Sequence, residues 1–160
     1  MREKTLSVQG ELIDVWYSGK AHTHGGNIQA VIAPGGFPLW VSDVEPGSVH
    51  DLTAARAHAF PALYLAAAAG LPTLADPGYD GAGTGILIPV KQPPGGQELD
   101  VNTRTRNAIQ RSLRCLGERG FALLIGRWRT LQHITASPSK IGDIARAALV
   151  LTHFEHGYIT

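Results

Sequence analysis

A single cysteine, Cys115, stands in 160 residues, so the chain holds no internal disulfide framework and no cysteine-rich zinc site. Nothing in it approaches the roughly 20 consecutive apolar residues that a membrane span needs. The nearest run, residues 63–71, is far shorter, and no apolar stretch of signal-peptide type follows Met1-Arg2-Glu3-Lys4. Charged residues are few, at 17%, against 44% hydrophobic, which excludes a disordered polyelectrolyte and provides for a real core. No Gly-x-Ser-x-Gly occurs, so a serine hydrolase of that type is unsupported. No internal repeat is present. One soluble, cytoplasmic domain covering residues 1–160 fits these absences.

What the chain has in plenty is glycine (19) and proline (10), which point to many tight turns. Its net charge of +1 hides an asymmetry: residues 1–90 carry four Lys/Arg and eight Asp/Glu, whereas residues 91–160 carry ten and five. An acidic first half and a basic second half suggest a carboxylate-rich site beside a surface for a polyanion.

Residues 7–15 (SVQGELIDV) alternate loosely around a turn at Gly10. Residues 27–33 and 37–44 read as two strands of a hairpin turned by Pro34-Gly35-Gly36. After the break at Pro46-Gly47, Ser48 or Asp51 is placed to cap a helix with its body over residues 52–69, stopped by Gly70 and Pro72. Residues 71–75 and 85–90 are short apolar strands, and 91–99 (KQPPGGQEL) form a loop. A long helix follows over residues 102–129, with Ile109, Leu113, Leu116 and Leu123 as its core stripe. A last helix runs from about Ser137-Pro138 to His153. This order predicts an α/β domain with a mixed sheet and helices packed on it.

Among candidate sites, His22 and His24 share a face if they lie on a strand, but no third zinc ligand sits at a recognisable spacing, which favours structural histidines at a turn edge. The glycines from Gly81 to Gly85 lack the Gly-Lys-Ser/Thr ending of a phosphate loop and read as a turn. Cys115, inside a helix, reads as a small buried apolar residue. Asp76 ends an apolar strand, the place where α/β sheets present groups to ligands, and it fits a turn-capping aspartate equally well. Glu118 lies with Asn107, Arg111, Arg114, Phe121 and Ile125 on one helix face, opposite the leucine stripe. That is consistent with an i, i+4 ion pair or with a metal ligand on a phosphate-binding face.

Four ordered motifs complete the reading: WYSGKAHTHGGNIQ, LWVSDVEPGSVHDLTAAR, LADPGYDGAG, and LGERGFALL with RWRTL. The chain resembles, on these, the DDE-type transposases of bacterial insertion sequences, a group of DDE superfamily endonucleases. The resemblance implies an RNase H-like fold, a DNA substrate (transposon ends and target), and three acidic residues that bind divalent metal, Mg²⁺ or Mn²⁺. It matches Asp76 to the second acidic residue and Glu118 to the third, both metal ligands, and Arg114 to an arginine that meets a phosphate. Asp51 belongs to a family motif outside the triad and is expected to be structural.

The departures carry their own implications. In the family the first aspartate lies on the first strand, upstream of the segment similar to EKTLSVQGE, so the resemblance implies that this strand and aspartate are missing here; Asp14 is not their equivalent. The family's N-terminal DNA-binding helices are likewise expected to be missing. Arg111 stands where a tyrosine is common and Ile125 where a lysine is common, with Arg127 and Arg129 as partial replacements on the DNA-facing surface. Two expectations follow: an incomplete transposase domain for metal-dependent cleavage and strand transfer, or a non-catalytic remnant that binds nucleic acid or assembles with a second copy or a full-length transposase. A third is poor folding through an exposed strand edge.

Overall fold

The computed structural model describes residues 4–7 and 10–159. Strand β1 (Lys4–Leu6) pairs antiparallel with β2 (Leu12–Asp14), with Gly10 in the left-handed region between them; residues 8–9 of the expected loose strand lie outside the described residues. A second small ladder joins β3 (Tyr17–Ser18) to β4 (Thr23–His24).

The central feature is a long irregular hairpin. β5 (Gly26–Asn27) and β6 (Ala30–Ile32) run out, and β7 (Pro38–Val41) and β8 (Glu45–Pro46) return, with Ala30 opposite Val41 and Asn27 opposite Glu45. Between the two ladders Ser42 N–H donates to the Gln29 carbonyl at 2.8 Å and keeps the arms together. Val31, Ile32, Trp40 and Val41 suit a pleated, half-buried surface. A register shift falls at Val31/Ile32, opposite Pro38, which has no N–H for the ladder. Gly36, at φ 80°, closes the turn. A Cβ at Gly47 would run into the carbonyl oxygens of Gly25 and Trp16, so only glycine lets the hairpin pack beside the β3–β4 ladder.

The helix expected over 52–69 is two helices, α1 (Asp51–His58) and α2 (Phe60–Ala68). Pro61 cannot donate a backbone hydrogen bond one turn back, so the chain re-starts at Ala59. The cap is neither Ser48 nor Asp51: His50 Nδ1 accepts from Leu52 N–H at 3.2 Å. β9 (Thr73–Leu74) then pairs in parallel with β10 (Ile86–Leu87). The long helix α3 (Val101–Arg127) is capped by Asp100, whose carboxylate accepts from Thr103 N–H at 3.0 Å. A 3-10 turn, Pro138–Lys140, leads into α4 (Ile141–Glu155).

The chain is therefore mixed helix and strand, as expected for an α/β domain. The expected single mixed sheet is instead five two-stranded ladders among the described residues, four antiparallel and one parallel. Strands of two to four residues, interrupted by glycine and proline, account for the fragmentation.

Two apolar clusters carry the packing. In one, Val41, Leu124, Ala145, Ala148 and Leu149 join the hairpin to α3 and α4. In the other, Ala55, Ala59, Phe60, Ala82 and Ile86 hold α1 and α2 against the parallel pair. Trp128 Nε1 donates to the buried Thr152 hydroxyl at 2.8 Å and ties the end of α3 to α4.

The expected leucine stripe is not the buried face of α3. Ile109 and Leu113 are exposed and line an open groove with Leu74 and Leu87. The buried residues are Asn107, Gly120 and Leu124, because α3 lies on the hairpin through its second half and meets the 85–91 segment through Asn107 in its first. Cys115 is exposed rather than buried, its thiol donating to the Ser112 carbonyl at 2.9 Å.

A Cβ at Gly120 would come within 2.6–2.8 Å of Ile32 Cδ1 and Cγ2, whereas one at Gly117 meets nothing within 4 Å. Gly117→Ala should stabilise the chain by about 0.5–1 kcal/mol through helix propensity. Gly120→Ala should lose that gain and destabilise by about 1–2 kcal/mol as Ile32 is displaced. Urea denaturation of the two variants, showing opposite signs, checks the packing of α3 on β6.

Candidate active site

Asp76 is placed by the end of β9. Ala75 N–H donates to Leu87 O at 2.9 Å and its methyl packs on the second apolar cluster, which fixes the strand up to the residue before the carboxylate. Asp76 then caps the 3-10 turn Pro77–Tyr79: its Oδ1 accepts from Gly78 N–H at 3.1 Å and its carbonyl from Tyr79 N–H at 3.0 Å. Pro77, with φ already near the required value, presets the turn. The capping role and a ligand-facing role are thus compatible, since Oδ1 does the first and Oδ2 is left for the second.

Oδ2 faces Arg114. The guanidinium Nη2 lies 3.3 Å from Asp76 Oδ2, and Nε lies 3.3 Å from Glu118 Oε1 one helical turn further along α3. One cation thus brings together the two carboxylates singled out in the sequence, from segments 42 residues apart. The three side chains are 45–67% exposed, and such pairs are worth about 0–1 kcal/mol each in water. Their grouping therefore adds little to stability.

Behind Asp76 runs a chain of polar groups that sequence patterns did not foretell. Tyr79 donates its hydroxyl to Gln29 Oε1 at 2.7 Å; Gln29 Nε2 donates to Asn27 Oδ1 at 2.8 Å; Asn27 Nδ2 donates to Asp51 Oδ1 at 2.9 Å and to Val49 O at 3.0 Å. Lys20 Nζ donates to the other Asp51 oxygen at 2.8 Å. Asp51 is a strut here, pinning α1 to the hairpin, which agrees in kind with a structural role. The hydrogen bond to Asp51 and its charge, with the more distant Asp76 adding to them, raise the Lys20 ammonium pKa. Burial, with the charges of Asp51 and Asp76, pushes the Tyr79 phenol up to about 12. Each hydrogen bond here joins residues brought close by folding, so only the residue types, not their pairing, could be read in advance.

The arginines divide. Arg111, exposed, lies one turn before Arg114, with its Nε donating to Asn107 O at 3.3 Å. Arg127 and Arg129 lie beyond the far end of the Glu118 turn, nine residues or about 13 Å along the helix for Arg127. Arg127 is engaged: Nη2 and Nε donate to Glu155 at 2.5 and 3.1 Å, and the guanidinium stacks over Trp128. Arg129 is exposed on the 3-10 turn Arg129–Leu131. His22 sits in a left-handed turn (φ 52°) while His24 lies in β4, so the two do not share a strand face. No group of three His, Cys, Asp or Glu able to hold a metal occurs among the described residues. None of the helices of the described residues is long and apolar enough to cross a membrane.

The family model for the DDE superfamily endonuclease matches residues 7–153, and the chain belongs to that family. Membership implies a DNA substrate and, as is general for these endonucleases, divalent metal. Neither a curated protein nor a solved structure matches the chain.

The neutral phenol of Tyr79 persists to about 12 in the folded chain, against about 10 when unfolded. The folded state then binds the proton more tightly, and its stability falls as pH rises through 10 towards 12. Tyr79→Phe should remove the component ionising near 12 from the ultraviolet phenol titration and flatten that alkaline loss. At neutral pH it should cost about 1–3 kcal/mol, because buried Gln29 loses its donor. A phenol titration that keeps its last component in the variant contradicts the assignment.

Proposed function

We propose that this chain is the catalytic domain of a DDE transposase of the bacterial insertion-sequence type, RNase H-like in architecture, which cuts and joins DNA with divalent metal. The observation that carries the proposal is the convergence of Asp76 Oδ2 and Glu118 Oε1 on one cation, Arg114. The donor set fits a hard ion: both groups are carboxylates, and both are open to solvent. Mg²⁺ or Mn²⁺ bound here would supply nucleophile activation, stabilisation of the leaving oxygen and charge neutralisation at the phosphorus.

The chain's own residues have separate tasks in this proposal. Asp76 offers Oδ2 while the turn holds Oδ1, so its carboxylate arrives already oriented. Glu118 offers its oxygens from a rigid helix. Arg111 and Arg114 face the phosphate backbone, with Arg129 extending the basic surface, and Arg127 contributes what its pairing with Glu155 leaves. On the resemblance Asp76 and Glu118 stand for the second and third carboxylates of the triad, and two carboxylates alone should hold metal weakly and support slow cutting. A second copy or a full-length transposase is the partner this reading allows.

A second reading is favoured by one observation: among the described residues no third ligand joins Asp76 and Glu118. On it the chain binds or assembles on DNA without cutting.

Duplex DNA binding measured against salt, together with nicking of supercoiled plasmid in Mn²⁺, separates the two. Both readings expect Arg111→Ala and Arg114→Ala each to lower the salt slope by about one. The catalytic reading expects slow nicking that disappears in Asp76→Asn and in Glu118→Gln. Nicking that is identical in wild type and both variants contradicts it.

A further inference from the structure

The guanidinium of Arg114 contacts both of the carboxylates that the proposed function assigns to a divalent ion. Its contacts, 3.3 Å to Asp76 Oδ2 and 3.3 Å to Glu118 Oε1, are longer than the roughly 2.7–2.9 Å of a strong charge-assisted hydrogen bond. Each nitrogen meets one carboxylate oxygen, so neither pair has the parallel two-bond geometry that arginine favours with carboxylate or phosphate. The cation is therefore held by field rather than by fit, on side chains that remain largely in water. Lys20, the other cation that Asp76 influences, is already bonded to Asp51 at 2.8 Å. Asp76 thus depends on Arg114 alone, among the described ion pairs, for its counter-charge.

We infer that Arg114 is the resident cation of this site: it draws Asp76 and Glu118 together while divalent metal is absent, competes with that metal for the same two oxygens, and releases them when a DNA phosphate takes the guanidinium. The inference rests on the metal-site reading of Asp76 and Glu118. Without a cation the two carboxylates would repel one another. With Arg114 in contact with both they stay close, but an entering ion must displace a positive charge. A backbone phosphate offers that charge a two-bond partner. DNA binding and metal binding thereby assist one another through a single side chain, and linkage makes the assistance reciprocal.

The test is a Mn²⁺ titration of the full 160-residue chain at low ionic strength, following the electron paramagnetic resonance signal of free Mn²⁺. Wild type, R114Q, R114K, D76N and E118Q are compared, each checked for a cooperative thermal transition. R114Q should bind Mn²⁺ about fivefold more tightly than wild type, the scale expected when a solvent-exposed competing charge is removed. R114K, which keeps the charge but not the span to both carboxylates, should fall between the two; if R114Q fails to fold, R114K carries the comparison with the same sign. D76N and E118Q should bind more weakly. Equal or weaker binding by R114Q, with D76N and E118Q still impaired, overturns the role of Arg114 and leaves the metal site standing. Unchanged binding by D76N and E118Q overturns both, because Mn²⁺ then sits elsewhere.

Discussion

The Arg114 guanidinium stands where two separately built parts of the molecule meet. Asp76 belongs to the parallel strand pair packed on α1 and α2, and Glu118 to the long helix packed on the hairpin and α4. Each part brings its carboxylate to the same place by its own local physics: a proline-preset turn for Asp76 and a helical repeat for Glu118. Arg114 is the contact that makes them one site. Its energy is small, since all three side chains are exposed. On the proposed function its consequence is larger, because the two carboxylates it contacts offer the oxygen donors that hard divalent ions take.

A half-buried polar chain supports this arrangement from behind. Tyr79, Gln29, Asn27 and Asp51 pass hydrogen bonds from the Asp76 turn through the hairpin to the first turn of α1. Gln29 is buried, so losing any neighbour leaves a desolvated amide unpaired. The Asp76 turn is held by this network and by the apolar packing of Ala75 and Tyr79, while the carboxylate itself stays open to solvent. Backbone held from beneath exposed acidic tips is the arrangement the proposed function calls for.

Local signals proved legible and long-range ones did not. The α3 helix was legible from the helical spacing of its apolar residues, although that stripe is not its buried face, and the hairpin from its turn residues, because periodicity and glycine geometry act within a few residues. The Arg114–Glu118 pair was readable for the same reason. The break at Ala59 was missed although Pro61 announces it, since an alanine-rich run reads as one helix. Ile109 and Leu113 have the spacing of a core stripe yet face an open groove with Leu74 and Leu87, a matter decided by where the strands end rather than by the helix. Asp76 and Glu118 were marked chiefly by the family motifs around them. That they share a cation, and that Asp51 serves as a strut, depends on contacts between residues 24 to 50 positions apart, which no local pattern encodes.

The claim on which everything turns is that Asp76 and Glu118 form one divalent-ion site. The most direct measurement is Fe²⁺ affinity cleavage of the folded chain: Fe²⁺ replaces Mg²⁺, ascorbate and peroxide generate hydroxyl radicals at the bound ion, and mass spectrometry locates the backbone cuts. The account predicts two clusters of cuts, one around residues 75–79 and one around 114–119, both suppressed by excess Mg²⁺. Cuts confined to one of these segments, or centred on other segments and insensitive to Mg²⁺, would contradict it.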